Sequence, residues 1–438
     1  MEEETEKGLS SIPTSKVKRA AKVIGASAKV GGNYIKYYAK KSVNHSLSKD
    51  SLHSDNAEDI YKSLSEMKGS ALKVAQMMSM DSQVLPKAYQ DKFSMAQYNA
   101  PPLSYPLILK TFQQFFGKKP LDIFDSFSKN AVHAASIGQV HKATLGDKVF
   151  AVKIQYPGVA ESISSDLKLV KPLAAQLLNM KKSEMNMYMD EVESKLLEET
   201  DYELELKRSN EISHGSSQLK NVRFPNYYPE YSNKRILTMD WMEGDMFPEF
   251  LKTNPSQEVR NSVGQAMWDF YLFQMKVLRQ VHADPHPGNF IVNGKNELCV
   301  LDFGCVKEIP SEFFDAYFQL FDKDILEDKV RLYKLYEELE FFKPEDTTEQ
   351  KELLKGLYHE MISLLGEPLR NDKFDFGNDS YFTKIAKMGD ALSKNKELKK
   401  LNNARGSKDG IYIMRTFFGL YSLLNQLQSE VSLNYRFG

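Results

Sequence analysis

The chain has 438 residues, of which 42% are hydrophobic and 27% are charged, and its formal net charge is -1. This length and composition predict a large folded core and exclude a disordered or fibrous protein. The balanced charge gives no general attraction to nucleic acid, and the sequence has no zinc-finger, basic-zipper or aromatic RNA-binding signature, so we expect no nucleic-acid partner.

The segment from residue 16 to residue 41 is basic, although the whole chain is nearly neutral. It carries eight lysine or arginine side chains and no acidic one, interleaved with apolar residues. Such a segment suits the surface of an anionic bilayer, which is one prediction for its partner. Gly25, Gly31 and Gly32 weaken it as a continuous helix, so a solvated tail and a helix packed on the folded domain are the alternatives.

Membrane-spanning and exported proteins are not expected from this sequence. No segment approaches the roughly 18 uninterrupted apolar residues of a spanning helix. The start of the chain, Met1-Glu2-Glu3-Glu4, is unlike a signal peptide. We therefore expect a cytoplasmic protein, with residues 16–41 as the part that could touch the inner face of a membrane.

A β-hairpin is predicted from Ser136 to Ile154, with its turn at Gly146-Asp147. Its first strand follows a run of small residues that would let a nucleotide approach closely. The order Ala151-Val152-Lys153 on its second strand matches the kinase arrangement Val-Ala-Ile-Lys, in which the lysine reaches the phosphates of ATP. The alternative is a strand whose lysine merely faces solvent.

A buried lysine needs a carboxylate partner, and an acidic helix predicted from about Met185 to Glu211 supplies candidates. Asp201 and Glu205 are four residues apart and share a helix face, whereas Glu199 and Glu205 point in different directions. Two separate lysine partners are therefore plausible, and the alternative is a charged surface helix.

The stretch from Arg235 to Gly244 reads as a strand that runs into a linker ending in glycine. This arrangement is typical of the segment that joins the lobes of a kinase and contacts adenine through its backbone. The backbone groups of Met239, Asp240 and Met242 are the candidates for that contact, and an ordinary strand and turn is the alternative.

The strongest signal is the loop His282–Asn289, followed thirteen residues later by Asp302-Phe303-Gly304. Asp284 and Asn289, five apart in one loop, and then an Asp before Phe-Gly, are the set that kinase-like folds use to orient an acceptor and hold metal ions. A predicted hairpin with Asn293-Gly294 at its tip would bring Asn289 and Asp302 together. An amide oxygen and a carboxylate suit Mg2+. Each motif alone would be a turn or a helix cap, but the combination favours the site.

The cysteines and histidines near this loop are expected to be structural. Cys299 and Cys305 flank the Asp-Phe-Gly motif, and neither His nor further Cys completes a zinc set, so we expect reduced thiols. His282 and His286 are expected to pack and to form hydrogen bonds rather than to bind a metal.

Taken in order, these motifs resemble those of the UbiB/AarF family of atypical kinase-like proteins, which carry an ABC1-type kinase-like domain. The resemblance extends from about Glu66 to Pro310. The residues that carry it are the loop His133–His141, the run Val152–Val159, Glu199-Thr200-Asp201-Tyr202, the loop His282–Asn289 and Leu301-Asp302-Phe303-Gly304. The resemblance implies a kinase-like fold that binds ATP and Mg2+.

The resemblance also implies two features that ordinary kinases lack. An alanine-rich loop replaces the glycine-rich phosphate loop, and an N-terminal extension with a Lys-x-Gly-Gln motif covers the place where a peptide substrate would sit. Here the motif corresponds to Lys73 and Gln76, with alanine in the glycine position. By the same resemblance, Glu199 pairs with Lys73 and Glu205 pairs with Lys153.

The predicted fold is α+β, a two-lobed protein-kinase-like fold with a small antiparallel sheet in the N-lobe and a mostly helical C-lobe. After Pro310 the apolar spacing predicts helices throughout. The predicted regions are a basic, partly flexible segment at 1–60, a helical extension with the Lys-x-Gly-Gln-like motif at 61–130, an N-lobe with an alanine-rich loop and a helical insertion at 131–240, and the C-lobe at 241–438.

The predicted site residues fall into three groups. The catalytic candidates are Lys153, Glu205 and Asp284, and the metal-ligand candidates are Asn289 and Asp302. The nucleotide-binding candidates are Lys73, Gln76, Ala134, Ala135, Ser136, Gly138, Gln139, Val140, Ala151, Lys153, Glu199, Met239, Asp240 and Met242.

The leading hypothesis for function is an ATP-binding, magnesium-dependent atypical kinase-like ATPase. By resemblance it supports the biosynthesis of isoprenoid quinones or related lipid metabolism, with a lipid-like molecule or quinone precursor as partner. The alternatives are a phosphotransferase acting on a protein or small-molecule hydroxyl, and a nucleotide-gated scaffold without catalysis.

Overall fold

The structure is a computed structural model, and it describes residues 16–41, 50–67, 69, 71–74, 87–94, 102–134, 137–178, 182–395, 397–398 and 407–433. The chain divides into two compact units. The first, called here the N-terminal unit, is Met1–Leu206 with Asn226–Trp241. The second, the C-terminal unit, is Lys207–Pro225 with Met242–Gly438.

The described chain is rich in helices and has short strands, so it is α+β as predicted. The helices are α1 (Lys16–Lys41), α2 (Asp50–Met67), α3 (Lys87–Ser94), α4 (Tyr105–Phe116), α5 (Val159–Leu178), α6 (Lys182–Glu199), α7 (Tyr202–Gly215), α8 (Phe247–Lys252), α9 (Gln257–Phe273), α10 (Ser311–Gln319), α11 (Lys329–Glu338), α12 (Thr348–Leu365), α13 (Asp379–Lys394) and α14 (Lys408–Leu427). The strands are β1 (Ser126–Phe127), β2 (His133–Ala134), β3 (Gly138–Leu145), β4 (Lys148–Gln155), β5 (Val222–Arg223), β6 (Ile236–Asp240), β7 (Asp245–Met246), β8 (Gln280–His282), β9 (Phe290–Val292), β10 (Leu298–Val300), β11 (Val306–Glu308), β12 (Lys373–Asp375) and β13 (Glu430–Ser432). Within the described ranges, no helix combines the length and the apolar character needed to cross a bilayer.

The N-terminal unit contains an antiparallel sheet with the strand order β1-β3-β4-β6, and β2 also pairs with β3. The predicted hairpin is present, because β3 and β4 pair along their whole length on either side of Gly146-Asp147. Gly146 has a φ of +57°, a conformation that two-residue hairpin turns need and that glycine adopts without strain. Phe112, Phe150 and Ile154 belong to the buried core that packs with this sheet.

A second core joins the helices of the N-terminal unit. α1 packs against α2 and α5, and α5 packs against α6. Val30, Ile60, Leu167 and Val192 are buried together in this core. The apolar face of each helix is therefore covered by another helix, which supplies most of a helix's stability in a folded protein.

The helix α1 runs unbroken through Gly25, Gly31 and Gly32, so the weakening expected from these glycines does not interrupt it. Each glycine costs only about 1 kcal/mol in a helix, and the packed inner face of α1 offsets that cost. Near its N-terminal end Arg19 forms a buried, two-pronged ion pair with Asp166 of α5. Of the alternatives for this segment, the helix packed on the folded domain is the one found and the solvated tail is not; the partly flexible character of residues 1–60 stays a prediction.

The acidic stretch predicted as one helix from about Met185 to Glu211 is in fact two helices. α6 ends at Glu199 and α7 begins at Tyr202. Asp201 lies at the break, where its side chain accepts a hydrogen bond from the backbone N–H of Leu204 at 3.0 Å. An aspartate in this position pairs a backbone donor that the start of a helix leaves unsatisfied, which favours a new helix here.

The C-terminal unit is mostly helical, as predicted, and short strands position its loops. β5, β10, β9 and β7 form a sheet in that order, with β5 parallel to β10, while β8 pairs with β11. The expectation of helices throughout after Pro310 is wrong in two places, because the short strands β12 and β13 pair with each other. Their backbone groups find partners only across the fold, so the local apolar spacing did not indicate them.

We predict that Arg19→Ala destabilises the protein by about 3–5 kcal/mol, because it leaves the fully buried carboxylate of Asp166 without its cation. Urea denaturation followed by circular dichroism measures the change. The double variant Arg19→Met with Asp166→Leu is the control, and it should recover most of the lost stability, since a buried apolar pair is tolerated where a single buried charge is not. Unchanged stability in Arg19→Ala would contradict the described docking of α1.

Candidate active site

A lysine and a glutamate form an ion pair on one face of the N-terminal sheet. Lys153 lies on β4, opposite Val140 of β3 and Leu237 of β6. Its Nζ is 2.7 Å from Oε1 of Glu205 and 3.0 Å from Oε2, so both carboxylate oxygens accept from the ammonium. The ring of Tyr202, at the start of α7, lies 5.0 Å from the same nitrogen and adds a cation–π contact.

Burial makes this pair a requirement of the fold. Glu205 is 1% exposed, and a buried carboxylate without a partner is strongly unfavourable. Glu205 also lies in the first turn of α7, where the helix dipole favours a negative charge. The side chain of Lys153 is 17% exposed, so part of the lysine still meets solvent. The pairing that the family resemblance implied is present, and its part in a reaction stays a prediction.

A second ion pair joins the N-terminal extension to the same acidic region. Nζ of Lys73 is 3.0 Å from Oε1 of Glu199, the last residue of α6. Because α6 ends before α7 begins, Glu199 and Glu205 belong to different helices and serve different lysines. The sequence analysis expected Glu199 and Glu205 to serve two separate lysines, but it placed both glutamates in one helix.

Three predicted nucleotide-binding residues, Gln76, Ala135 and Ser136, lie outside the described residues. Ala134 ends β2 and lies opposite Gln139 of β3. The alanine-rich loop is therefore described only at the two ends where it enters and leaves the sheet, and its part in binding phosphate stays a prediction.

Gly138 is required by close packing. A Cβ atom at this position would lie 2.7 Å from the backbone oxygen of Ile154 and 2.9 Å from Oη of Tyr202. Both distances are too short for a side-chain carbon. Glycine therefore lets β3 approach β4 and the start of α7 closely, and this accounts for Gly138 whether or not a nucleotide binds beside it.

The register of the sheet places several predicted residues together. Residues directly opposite each other in an antiparallel pair share a face of the sheet. Val140 lies opposite Lys153, and Met239 lies opposite Ala151, which is two residues before Lys153 on β4. These four side chains therefore share one face of the sheet, the face on which Lys153 meets Glu205.

Gln139 is on the opposite face, so its side chain does not belong with this group. It is 1% exposed, and its Oε1 accepts a hydrogen bond from the backbone N–H of Leu103 at 2.7 Å. Its Nε2 lies 2.8 Å from Nε2 of His141, which is also buried. The predicted contact between this side chain and a nucleotide is corrected: the alternation of side chains along β3 turns it into the core.

The predicted adenine-contacting segment is partly used within the N-terminal unit. The backbone N–H of Asp240 donates to the oxygen of Asn226 at 2.9 Å, and that of Trp241 donates to Val149 at 2.9 Å. The sheet pairing continues one residue past the end of β6, so the backbone N–H groups of Asp240 and Trp241 already have acceptors within the unit. The expectation that the N–H of Asp240 contacts adenine is therefore corrected. Met242, the third residue of the predicted segment, is half-buried.

In the C-terminal unit, the loop between β8 and β9 holds Asp284 and Asn289 together. Nδ2 of Asn289 donates to the backbone carbonyl of Asp284 at 3.0 Å, and the N–H of His286 donates to the same carbonyl at 2.7 Å. These bonds fold the five-residue spacing into a compact turn. Since the loop holds the nitrogen of the Asn289 amide, the amide oxygen is the group left to act as a ligand, and oxygen is what Mg2+ prefers.

Asp302 is held beside this loop. The backbone N–H of Leu301 donates to the carbonyl of Asn289 at 3.1 Å. Leu301 directly precedes Asp302, so this bond holds the two predicted metal ligands close to each other. Oδ1 of Asp302 accepts from the N–H of Gly304 at 2.8 Å. Phe303 between them is fully buried among aromatic rings. This anchoring fixes the backbone from which the Asp302 carboxylate projects.

A buried histidine supports the same backbone. Nε2–H of His282 donates to the carbonyl of Asp302 at 2.6 Å, because a carbonyl can only accept, and Oη of Tyr271 donates to Nδ1 at 3.3 Å. The backbone N–H of His282 donates to Oε1 of Gln274 at 3.1 Å. Burial, with the charge of Asp284 as a smaller cause, raises the pKa of Tyr271, so its hydroxyl keeps the proton that it donates.

Sequence reasoning missed Tyr271 and Gln274. Gln274 begins a single π-helical turn, Gln274–Leu278, that follows α9 directly. Such turns often accompany functional sites, but nothing in the sequence marks one. Tyr271 reads in the sequence as one more core aromatic of α9. The expectation that His282 forms hydrogen bonds agrees with its contacts.

The hairpin of β9 and β10 has a longer turn than predicted. Residues 293–297 connect the two strands, and the left-handed residue is Asn296, with a φ of +60°, rather than Gly294. The side-chain oxygen of Asn293 accepts from the backbone N–H of Glu297 at 3.0 Å. This local bond stabilises the wider turn, so the Asn-Gly pair marks the hairpin but not its turn type.

Both cysteines are buried and are not joined in a disulfide, so the expected thiol state agrees with the structure. Burial raises the pKa of the Cys299 thiol to about 11. Because a thiol with this pKa stays protonated at neutral pH, Cys299 is a structural residue and not a nucleophile.

The profile of the ABC1 atypical kinase-like domain matches residues 95–336, more than half of the chain. The chain belongs to the ABC1 atypical kinase-like family. Relatives in this family carry the name aarF, so the resemblance to the UbiB/AarF family is confirmed. The matched region contains the pair formed by Lys153 and Glu205 as well as Asp284, Asn289 and Asp302.

Individual ABC1 proteins match over most of the chain. It is 30% identical over 391 residues to the mitochondrial atypical kinase COQ8 of Saccharomyces cerevisiae, which covers 86% of this chain and 76% of that protein. It is 29% identical over 384 residues to the probable serine/threonine-protein kinase abkA of Dictyostelium discoideum, over 82% of this chain and 66% of that protein. The structure of Rv3197 with erythromycin from Mycobacterium tuberculosis aligns with a TM-score of 0.61 and 25% identity, over 88% of this chain and 96% of that one.

The two-lobed kinase-like fold is confirmed by the ABC1 match and by the likeness to the solved structure. Several ABC1 relatives are considerably longer, and the chain spans 50% and 61% of two mitochondrial ones. The names of the relatives place some in mitochondria and others in chloroplasts. The cytoplasmic location expected for this chain stays a prediction.

We predict that His282→Phe loosens the backbone around Asp302. Phenylalanine keeps the ring contacts with Tyr271 and Phe303 but leaves the Asp302 carbonyl without its donor, at a cost of about 1–3 kcal/mol. Hydrogen–deuterium exchange with mass spectrometry should show faster exchange in a peptide that contains Gly304. His214→Phe, a change at an exposed histidine of the C-terminal unit, is the control. Equal exchange in all three proteins would show that His282 does not hold this segment.

Proposed function

We propose that this chain binds ATP with Mg2+ and transfers the terminal phosphoryl group to water or to a small acceptor. The observation that carries the proposal is the bidentate pair in which buried Glu205 fixes the partly exposed Lys153. Membership of the ABC1 family and the name atypical kinase given to relatives support the same reading.

Lys153 is the proposed phosphate-binding group. Glu205 holds its ammonium through both carboxylate oxygens, so the positive charge is already oriented before an anion arrives. The negative charge of Glu205 also favours the protonated lysine. In the proposed complex, Lys153 neutralises charge on phosphate oxygens at little cost in reorganisation.

Asn289 and Asp302 are the residues that would hold Mg2+. The donor set fits, because an amide oxygen and a carboxylate are hard ligands and Mg2+ commonly keeps several of its waters. The bond from the Leu301 N–H to the Asn289 carbonyl at 3.1 Å supports their joint action. A bound Mg2+ would supply positive charge that offsets the negative charge of the phosphate oxygens.

Asp284 is the proposed group that orients the acceptor. Its backbone carbonyl is fixed by Asn289 and His286, and the next residue, Pro285, is buried. The side chain of Asp284 is half-buried, which leaves the carboxylate partly open to an incoming hydroxyl or water. A carboxylate in this position accepts a proton from the attacking group.

The pair of Lys73 with Glu199 favours a small acceptor over a peptide. It ties the helical residues 71–74 to the end of α6, so the segment that the family resemblance places over a peptide site is anchored. We therefore propose ATP hydrolysis or transfer to a lipid-like molecule, with an isoprenoid quinone precursor as the class. The similarity to COQ8 supports this choice.

Two other functions are kept as alternatives. Transfer to a protein hydroxyl is supported by the similarity to a probable serine/threonine-protein kinase. A nucleotide-gated scaffold needs no acceptor-orienting carboxylate, so the presence of Asp284 beside Asn289 favours catalysis over it.

We predict that Asp284→Asn keeps nucleotide affinity and lowers the turnover of ATP by about 100-fold or more, because a positioned general base contributes roughly that factor. ATP consumption by the purified protein with Mg2+ and binding of a fluorescent ATP analogue measure the two properties. Asp372→Asn, at an exposed aspartate of the C-terminal unit, is the matched control. Equal hydrolysis by Asp284→Asn and wild type would favour the scaffold or a contaminating activity.

We also propose that the outer face of α1 contacts an anionic membrane. Ile24, Ile35 and Tyr38 are 68%, 73% and 56% exposed, and their spacing places them on one side of α1; apolar side chains grouped on an exposed surface often mark a contact site. Lys29 and Lys36 on the same helix are exposed as well, and α1 has no acidic residue. Lys29 also pairs with Asp59 of α2 at 3.5 Å. An exposed helix surface that combines apolar and basic side chains matches a bilayer with acidic headgroups.

We predict that the double variant Ile24→Glu with Ile35→Glu lowers binding to vesicles of phosphatidylglycerol and phosphatidylcholine by about tenfold or more, since each acidic charge opposes the surface potential. Co-sedimentation measures the bound fraction. Val330→Glu, at an 84% exposed apolar position of the C-terminal unit, is the control and should bind like wild type. Wild-type protein that binds pure phosphatidylcholine vesicles equally well would contradict the electrostatic part of the proposal.

A further inference from the structure

The C-terminal unit contains a partly enclosed apolar cavity between α10, α12 and α14. Its volume is about 190 Å3. The walls are aromatic and aliphatic, and they include Phe321, Tyr358, Leu365, Met414, Phe417 and Tyr421. None of these residues belongs to the loops that carry Asp284, Asn289 and Asp302, so the cavity is separate from the proposed catalytic groups.

Two polar side chains at the wall, those of Tyr421 and Ser407, are used within the protein. Oη of Tyr421 donates to the backbone oxygen of Leu365 at 3.1 Å, so the tyrosine offers only its ring to the cavity. Oγ of Ser407 accepts from the N–H of Gly410 at 3.1 Å, as the cap of α14. Met361 and Met414 add flexible thioether side chains that adapt to the shape of an occupant. An occupant that depends on hydrogen bonds is therefore not favoured.

The volume limits the size of the occupant. An apolar protein cavity of about 150 Å3 stays dry and holds benzene, whereas drug-sized ligands occupy about 300 Å3 or more. At about 190 Å3, this cavity has room for somewhat more than one benzene ring. A group of roughly eight to ten carbons, such as a ring with a short alkyl chain or two branched hydrocarbon units, matches that space.

The helix that lines the cavity also touches the proposed catalytic loop. Gly419 of α14 packs directly on Pro285, since a Cβ atom at position 419 would lie 2.0 Å from Cγ of the proline. Pro285 follows Asp284 in the chain. Phe417 and Tyr421, two residues to either side of Gly419, line the cavity. A shift of α14 caused by an occupant would thus displace Pro285 and the backbone beside Asp284, because closely packed groups move together.

We propose that this cavity binds an apolar group of roughly eight to ten carbons, and that its occupancy alters catalysis through the contact of Gly419 with Pro285. The coupling rests on the proposed function, whereas binding itself does not. The occupant is an alkyl-substituted ring or a branched hydrocarbon segment, either free or as the end of a lipid.

Binding is tested first, without nucleotide, with n-butylbenzene as the probe. It should raise the melting temperature of wild-type protein in a concentration-dependent way, because a ligand of the folded state stabilises it. Leu365→Phe and Met414→Phe, called here the filled variants, each place a ring at the wall that takes up part of the space for the probe, and each should weaken binding at least tenfold. Met414→Leu, which nearly conserves the volume, and Val330→Phe, at an exposed position, should bind like wild type.

Folding of the filled variants is checked by near-ultraviolet circular dichroism, and two separate filling positions guard against one that fails to fold. Absence of binding by wild type up to the solubility of butylbenzene would overturn the site. Equal affinity in both folded filled variants would also overturn it, because the probe would then bind elsewhere.

Coupling is tested by ATP consumption with and without saturating butylbenzene. We expect the rate to change at least twofold in wild type and to stay constant in Met414→Phe. A protein that binds the probe and consumes ATP at an unaltered rate would overturn the coupling. If the protein consumes ATP but does not bind the probe, the proposed cavity site is wrong and the proposed function stands. If it binds the probe but does not consume ATP, the cavity site stands and the proposed function is wrong.

Discussion

A buried carboxylate that must meet a lysine constrains how the N-terminal unit folds around its sheet. Glu205 lies in the first turn of α7, which follows the cap formed by Asp201, and Lys153 reaches it from β4. This pairing holds only if the start of α7 lies against the sheet, and the absence of a side chain at Gly138 allows that approach. The helix break, the close packing and the orientation of the lysine are therefore parts of one arrangement.

The C-terminal unit orders its loops by the same principle, with hydrogen bonds in place of an ion pair. His282 connects the Asp302 backbone to Tyr271, and Asn289 holds the backbone of Asp284. Buried polar groups are costly unless they are paired, so each of these bonds selects one loop conformation over others. The carboxylates of Asp284 and Asp302 thereby project from a backbone that these hydrogen bonds hold.

The sequence predicted those features that depend on local spacing. The hairpin that carries Lys153 and the motif around Asp302 follow from residues that are neighbours in the chain. It did not predict that Asp201 ends one helix and caps the next, nor that Gln139 turns into the core, because both depend on tertiary contacts. The turn at Asn296 was missed for a related reason: several side-chain bonds decide between turn types that the same Asn-Gly pair permits.

Close packing connects the cavity to the rest of the C-terminal unit. Empty apolar space in a protein interior costs on the order of 24 cal/mol for each cubic ångström, so about 5 kcal/mol is the upper limit for this partly enclosed cavity of about 190 Å3. An occupant that restores the missing contacts would recover part of that free energy. Because α14 meets Pro285 without space for even one methyl group at Gly419, the helix cannot adjust to an occupant without pressing on the loop or releasing it. The same packing that makes the void costly thus makes it a place from which Asp284 can be influenced.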